Sequence, residues 1–349
     1  MTRISANRHI RQIQYTGRKR KNMRSLIIGA AGFVGAYLVK ELNINHGHEV
    51  AVTKMAQETI DVDKLASEGV NADQLSVYDL NILDKAAIDE LLKEVRPDYI
   101  FHLAAQSSVA VSWKNPALTI DVNVKGAANV LEAIKDLDYK PRTLLIGSGT
   151  EYGHIAPGES PIAEDNAVRP GDIYAATKIC QNMLGSIYAE AYDLPIMMVR
   201  AFNHIGPNQA PIFVVADFCK QVAELEKKAA AEGDKVIRVG NLSARRDFTD
   251  VRDVVRAYAM LIEKGKPGET YNVGSGHAIA IEDILKMILD QAKTNIRVEV
   301  DPDKIRPVDI PIIEADTKKL CEATGWEPEI AIEQTIAETL DYWRKRYNE

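Results

Sequence analysis

The chain has 349 residues, 46% hydrophobic and 27% charged, with a net charge of −7. That suits one large α/β domain with an appended lobe, or two medium domains, and a core of that size needs no disulfides. Cys180, Cys219 and Cys321 lie outside any CxxC spacing and read as incidental thiols of a reducing, cytoplasmic compartment, with no metal site.

Charge is uneven. Residues 1–22 carry seven Lys and Arg and no acidic residue, which leaves −14 from Met23 onward. Such a leader could be a targeting peptide or a nucleic-acid arm. It is expected instead to be a disordered extension before a start at Met23. The acidic body argues against nucleic acid as a partner. The longest apolar stretch, residues 26–39, contains three glycines and is shorter than the roughly 20 residues that span a bilayer, so no membrane is implied.

In chain order, residues 24–28 predict a strand that ends in a glycine cluster, and 33–42 follow with helical spacing. Strands are predicted at 50–53, 99–103, 143–146 and 196–200, with helices at 88–95, 119–134 and 175–191. This alternation predicts a Rossmann-type, doubly wound parallel sheet over 23–200. Beyond it the rhythm loosens around 203–212 and 263–276, with helices at 213–231 and 281–292. A smaller mixed α/β C-terminal lobe, 201–349, is expected to hold the substrate, with the chain returning to the sheet near 250–275.

Gly29-Ala30-Ala31-Gly32-Phe33-Val34-Gly35 sits between strand and helix, where a dinucleotide fingerprint must sit. Its glycines let the backbone turn and approach a pyrophosphate, whose charge the helix N-terminus stabilises. An NAD site would place a carboxylate about 20 residues on, binding the ribose 2′-hydroxyl. The second strand here ends Val52-Thr53-Lys54-Met55. This points to NADP(H), with NAD(H) as the alternative.

Tyr174 and Lys178 have YxxxK spacing, one helical turn apart. Ser148 ends the strand before them, the edge where open α/β sheets bind ligands. Tyr174 can exchange a proton with a sugar C–OH/C=O oxygen, and its free pKa is about 10. Lys178⁺ and a nicotinamide charge would lower that value, and Ser148 would hold the same oxygen.

Together with Asp79-Leu80, His102-Leu103-Ala104-Ala105 and Asn123, these motifs resemble the extended short-chain dehydrogenase/reductases from about Met23 onward. The resemblance implies that Asp79 and Leu80 border the adenine and that Leu103, Ala104 and Ala105 line the cofactor. It also implies that Asn123 supports the serine strand. The blocks Ala105-Gln106-Ser107, Arg200–Pro207, Arg246–Asp253 and Arg306–Asp309 resemble enzymes of GDP-mannose metabolism, both 4,6-dehydratases and 4-keto-6-deoxy-mannose reductases. A GDP-linked hexose is the partner so implied. Gln106, Ser107, Ser148 and Thr150 would line its site, Asn203, Arg246 and Arg306 would contact its pyrophosphate, and Asp309 would take a ribose hydroxyl.

One departure bears on mechanism. The dehydratases carry a glutamate base two residues after the active-site Ser or Thr, where this chain has Thr150; Glu151 comes one position later. In extended backbone neighbouring side chains point to opposite sides, so Glu151 does not replace that base unless a bulge turns it. NADPH-dependent reduction at C4 needs no such base. It therefore leads, with 4,6-dehydratase, 4-epimerase and a non-catalytic dinucleotide-binding protein as alternatives. Apolar stripes on 119–134 and 175–191 predict a homodimer seam.

Overall fold

The computed structural model describes residues 23–156, 158–228, 235–304 and 311–347. The basic leader, Arg306 and Asp309 lie outside the described residues. Thirteen strands are described: β1 Arg24–Ile28, β2 Glu49–Lys54, β3 Leu75–Asp79, β4 Tyr99–His102, β5 Arg142–Ser148, β6 Ile196–Ala201, β7 Asn203–Ile205, β8 Val236–Val239, β9 Arg245–Asp250, β10 Thr270–Val273, β11 Ala278–Ala280, β12 Arg297–Val300 and β13 Ile312–Ile313. The helices in chain order are α1 Phe33–Lys40, α2 Val62–Ser67, α3 Lys85–Val95, α4 Val109–Lys114, α5 Pro116–Ile120, α6 Ala127–Lys135, α7 Ile173–Tyr192, α8 Val214–Lys227, α9 Val251–Lys264, α10 Ile281–Leu289, α11 Lys318–Thr324 and α12 Ile332–Arg346.

Seven parallel strands form the main sheet in the order β10-β6-β5-β4-β1-β2-β3. Because side chains alternate along a strand, each strand feeds both faces. Ile27, Val50, Val52, Phe101, Leu144, Met197 and Val199 join Leu38 of α1 and Val254 of α9 in one core. Their neighbours Leu26, Ile28, Ala51, Ile100, Leu145, Ile196 and Met198 pack with Ile88 of α3, Val130 of α6 and Ala189 of α7 in the other. Apolar runs without polar alternation are what a sheet covered on both faces requires. The fold is a Rossmann-type doubly wound α/β sheet.

β10 comes from a stretch that glycine, proline and charge made unreadable as a strand. It pairs with β6 at the sheet edge, Thr270 opposite Met198. β7, β11 and β13 gather on β9. β8 and β12 form a parallel pair. α8, α10 and α12 enclose a third core around Phe218, Ile284, Leu340 and Trp343. The helix expected over 119–134 is interrupted: α5 runs through a wider π-helical turn, Asp121–Gly126, before α6 begins. Among the described residues, no helix is long and apolar enough to cross a membrane.

Candidate active site

The strand order reverses on either side of β1, which lies between β4 and β2. That is the switch point at which open α/β sheets bind ligands. Gly29 follows β1 with φ +88°, and a Cβ there would stand 2.5 Å from the Ala104 Cα. Only glycine fits where two loops meet so closely. Gly35 is held as tightly, since its Cβ would meet the Ala30 carbonyl at 2.0 Å. At Gly32, by contrast, a Cβ would meet nothing within 4 Å. Gly32 is the N-cap of α1 and offers no side-chain acceptor to the first turn. This open cradle over a helix N-terminus fits a dinucleotide pyrophosphate.

Phe33 and Val34 open α1. The Phe33 ring stacks on His204, with centroids 6.1 Å apart, and Tyr37 donates to the Pro207 carbonyl at 2.8 Å. The segment after β7 is thereby fastened over the glycine turn. Leu103 and Ala104 donate backbone N–H groups to the Ile28 carbonyl, which fixes the facing loop through Ala105. Leu80 is buried beside it. Lys54 ends β2 and its ammonium is engaged by Asp79 at the end of β3, so two expected cofactor contacts are partners of each other.

Ser148 ends β5, Tyr174 and Lys178 lie on α7, and both α7 residues are buried. Ser148 Oγ accepts from the Thr150 hydroxyl at 2.9 Å and from the Thr150 N–H at 3.2 Å. With both lone pairs engaged, the Ser148 proton is free to be donated. The Lys178 ammonium donates to the Ile146 carbonyl at 2.7 Å and to Gln181 Oε1 at 2.9 Å. Burial brings its pKa down to about 8, against the pull of Glu151.

Tyr174 departs from expectation. Burial pushes its phenol up to about 12; the Ser148 hydroxyl pulls it back, while the Glu151 and Asp172 charges add to the rise. Lys178 points its donors at Ile146 and Gln181, so the polypeptide alone does not lower the tyrosine.

Glu151 also differs from the extended picture. Residues Gly149–Tyr152 form a 3-10 turn, and the Glu151 carboxylate folds back beneath it, fully buried. It accepts from the Ser148 N–H at 2.9 Å, from Asn182 Nδ2 at 2.8 and 2.9 Å, and from Arg200 Nε at 3.0 Å. Gly147 makes room, since a Cβ there would meet Glu151 Oε1 at 2.3 Å. Burial raises the pKa of this carboxyl, with Arg200 opposing.

Asn123 exchanges hydrogen bonds with the Gln106 backbone, at 2.8 and 3.0 Å, and donates to Thr177 Oγ1 at 3.0 Å. It therefore ties the loop after β4 to α7 rather than supporting the serine strand. The Gln106 amide is spent on Ser108 in that loop and on Thr119 of α5, which leaves exposed Ser107 the freer of the two. Asn203 is exposed on β7 and Arg246 half-buried on β9, strands that pair in parallel.

The motifs did not single out Gln181 or Asn182, and gave no role to Asp247 within the Arg246–Asp253 block. Polar residues in the buried stripe of α7 were the available signal for the first two. Asp247, buried beside Arg246, accepts from Ser275 N and Oγ at 2.7 Å, Gly276 N at 3.0 Å and Ala315 N at 3.1 Å, gathering two segments behind β9.

The sequence profile of the GDP-mannose 4,6 dehydratase family matches residues 26–339. A GDP-6-deoxy-D-mannose reductase from Pseudomonas aeruginosa is 33% identical over 272 residues, 78% of this chain and 88% of the relative. The solved structure of RMD from Pseudomonas aeruginosa complexed with NADPH has a TM-score of 0.79 and 28% identity, covering 93% of this chain and all of that one. A UDP-glucose 4-epimerase from Thermus thermophilus, in complex with NAD, has a TM-score of 0.78 and 29% identity, covering 92% of this chain and 99% of that one. The chain belongs to the GDP-mannose 4,6 dehydratase family, a branch of the extended short-chain dehydrogenase/reductases, and the protein is an enzyme of that family.

Proposed function

We propose that the protein is an NADPH-dependent reductase of a nucleotide-linked 4-keto sugar, converting GDP-4-keto-6-deoxy-D-mannose to GDP-D-rhamnose. The observation that carries this reading is the burial of Glu151. Elimination across C5–C6 needs a base at the C5 proton. The carboxylate of the serine turn is committed beneath it to Arg200, Asn182 and the Ser148 N–H. The residue two after Ser148 is Thr150, whose hydroxyl is given to Ser148. Carbonyl reduction needs only donors at the C4 oxygen, and Ser148 and Tyr174 are such donors.

When bound, the dinucleotide supplies the hydride. Ser148 donates to the C4 oxygen and holds the carbonyl against Tyr174, and Tyr174 releases its proton to that oxygen as negative charge develops there. Lys178, cationic below about pH 8, favours the phenolate left behind. Asn203 and Arg246 take the pyrophosphate, because a guanidinium offers paired donors to phosphate oxygens. Lys54 would hold a 2′-phosphate, giving up its ion pair with Asp79 to do so. Should Asp79 keep its lysine and bind the ribose hydroxyl instead, the preference turns to NAD(H). The NADPH-bound relative supports the first outcome.

The test is anaerobic incubation with GDP-mannose alone, and with its 4-keto-6-deoxy product plus NADPH, following NADPH absorbance and sugar products. NADPH oxidation only with the keto sugar is expected. Formation of the keto sugar from GDP-mannose without added reductant would make the enzyme a dehydratase, and stereochemical inversion at C4 without net oxidation an epimerase.

A further inference from the structure

The end of the sheet remote from the chemistry carries a second constellation. After α1 the chain makes a π-helical turn, Glu41–Asn45, then reaches β2 through His46, Gly47 and His48. Gly47 has φ +67°, a left-handed conformation that swings two histidines to one side. Glu263 approaches from the last turn of α9. One ligand atom from each of His46, His48 and Glu263 lies within 4.8 Å of the others, with His46 Nδ1 3.9 Å from Glu263 Oε1.

The second nitrogen of each ring is already oriented. His46 Nε2 is 3.1 Å from Glu41 Oε1, and Glu41 is itself fixed by Asn45 Nδ2 at 2.6 Å. His48 Nδ1 is 2.9 Å from Ser25 Oγ, and its ring lies against Tyr99 with centroids 5.7 Å apart. Hydrogen bonds of this kind fix the tautomer and aim of metal-ligating histidines. They leave His46 Nδ1, His48 Nε2 and a Glu263 oxygen to converge on one point.

We infer that His46, His48 and Glu263 form a binding site for a divalent transition metal of the Zn²⁺ class, with Glu41 and Ser25 orienting the two imidazoles. Two imidazoles and a carboxylate suit such a borderline cation, with its remaining positions filled by water. Metal–ligand bonds of about 2.0–2.2 Å draw the three side chains together by about an ångström. His46 and Glu263 have the freedom to move, their side chains being 27% and 40% exposed. His48 is the buried anchor.

The site lies beside Ser25, Glu49 and Tyr99, at the starts of β1, β2 and β4, whereas Gly29 and Ser148 lie at carboxyl ends of the same parallel sheet. The metal therefore clamps the α1–β2 connection to α9, two neighbours in one helical layer, and does not touch the chemistry. The absence of a metal site was inferred from cysteine spacing alone, which says nothing about His46-Gly47-His48.

The test is calorimetric titration of the chelator-treated full chain with ZnCl2, together with thermal unfolding and the visible spectrum of the Co²⁺-loaded protein. One Zn²⁺ per chain and a raised Tm are expected. His46→Gln and Glu263→Gln, at partly exposed positions, should each weaken Zn²⁺ affinity at least tenfold and remove both the Tm rise and the Co²⁺ ligand-field bands. Glu41→Gln should weaken binding about 10–100-fold, as loss of an orienting partner does. No Zn²⁺ uptake, or uptake unchanged in His46→Gln and Glu263→Gln, overturns the assignment.

Discussion

Arg200 and Glu151 form an ion pair beneath the serine turn, with Nε 3.0 Å from Oε2 and the carboxylate side chain 0% exposed. Arg200 continues the network to the Tyr152 hydroxyl at 2.9 Å, and Tyr152 donates to Asn272 on β10 at 2.7 Å. The turn that aims Ser148 is thus bolted to β6 and to the edge strand. Removing one partner of a buried pair leaves an uncompensated charge, which costs more than the pair is worth against an apolar substitute. Glu151→Ala should destabilise the fold by about 3–5 kcal/mol, read from urea unfolding. If Glu151 served instead as a base at C5, its removal would stop chemistry while leaving the unfolding midpoint near wild type.

Of the three hydroxyls at the centre, that of Thr150 should be far less costly to remove than those of Tyr174 and Ser148. Tyr174→Phe removes the proton donor and should lower kcat by about a hundredfold or more, with NADPH binding retained in a fluorescence titration. Ser148→Ala removes a donor aimed at developing charge, a loss of about 10²–10³-fold. Thr150→Val removes a neutral hydrogen bond to Ser148 of about 1 kcal/mol, so a loss of about fivefold is expected. A Thr150→Val loss as large as that of Ser148→Ala would mean that Thr150 itself touches the substrate.

Local pattern revealed much of this architecture. β1 begins and ends at the predicted residues because its apolar run stops at a glycine turn, and Ser148 falls at a strand end because the apolar run Leu144–Ile146 of β5 stops at Gly147. What stayed hidden depended on partners distant in sequence. Glu151 is buried because Arg200 and Asn182 come to meet it, 49 and 31 residues away. Gln106 reads as a substrate contact until Thr119 is placed beside it. The break in the helix over 119–134 has no proline inside it, and its one glycine, Gly126, closes the wider turn. It coincides with Asn123 reaching across to both Gln106 and Thr177.

The outer face of α7 should be a seam between two copies of the chain. Met183 and Ile187 lie one turn apart on it and are 59% and 54% exposed, and Trp113, Leu118 and Ile120 are exposed on α4 and α5 beside it. Contiguous apolar exposure of this kind marks an interaction surface. The other stripe of α7, with Tyr174, Lys178, Gln181 and Asn182, faces the sheet, so the two roles do not compete. Light scattering should give a homodimer for wild type, and Met183→Glu with Ile187→Glu should shift it to monomer with the far-UV spectrum unchanged. A wild-type monomer at micromolar concentration would remove the homodimer proposal.

His102 should make the fold acid-sensitive. It ends β4, wholly buried, and among the described residues neither ring nitrogen has a hydrogen-bond partner. Burial, and then the nearby charge of Lys178, push its pKa down to about 3. The folded value lies below the unfolded value of about 6.5, so the unfolded chain takes up the proton first. The stability tied to the neutral ring is therefore complete above pH 6.5 and is lost as pH falls from 6.5 towards 3. At pH 5 that loss is about 2 kcal/mol relative to neutral pH. His102→Leu keeps an apolar side chain in the place of the ring and removes the titration. Between pH 7 and pH 5, wild type should therefore lose about 2 kcal/mol more unfolding free energy than the variant, by urea titration at each pH. The other titrating groups are common to both proteins and cancel in the difference. Equal losses would mean that the ring gains its proton in the folded state as readily as in the unfolded one.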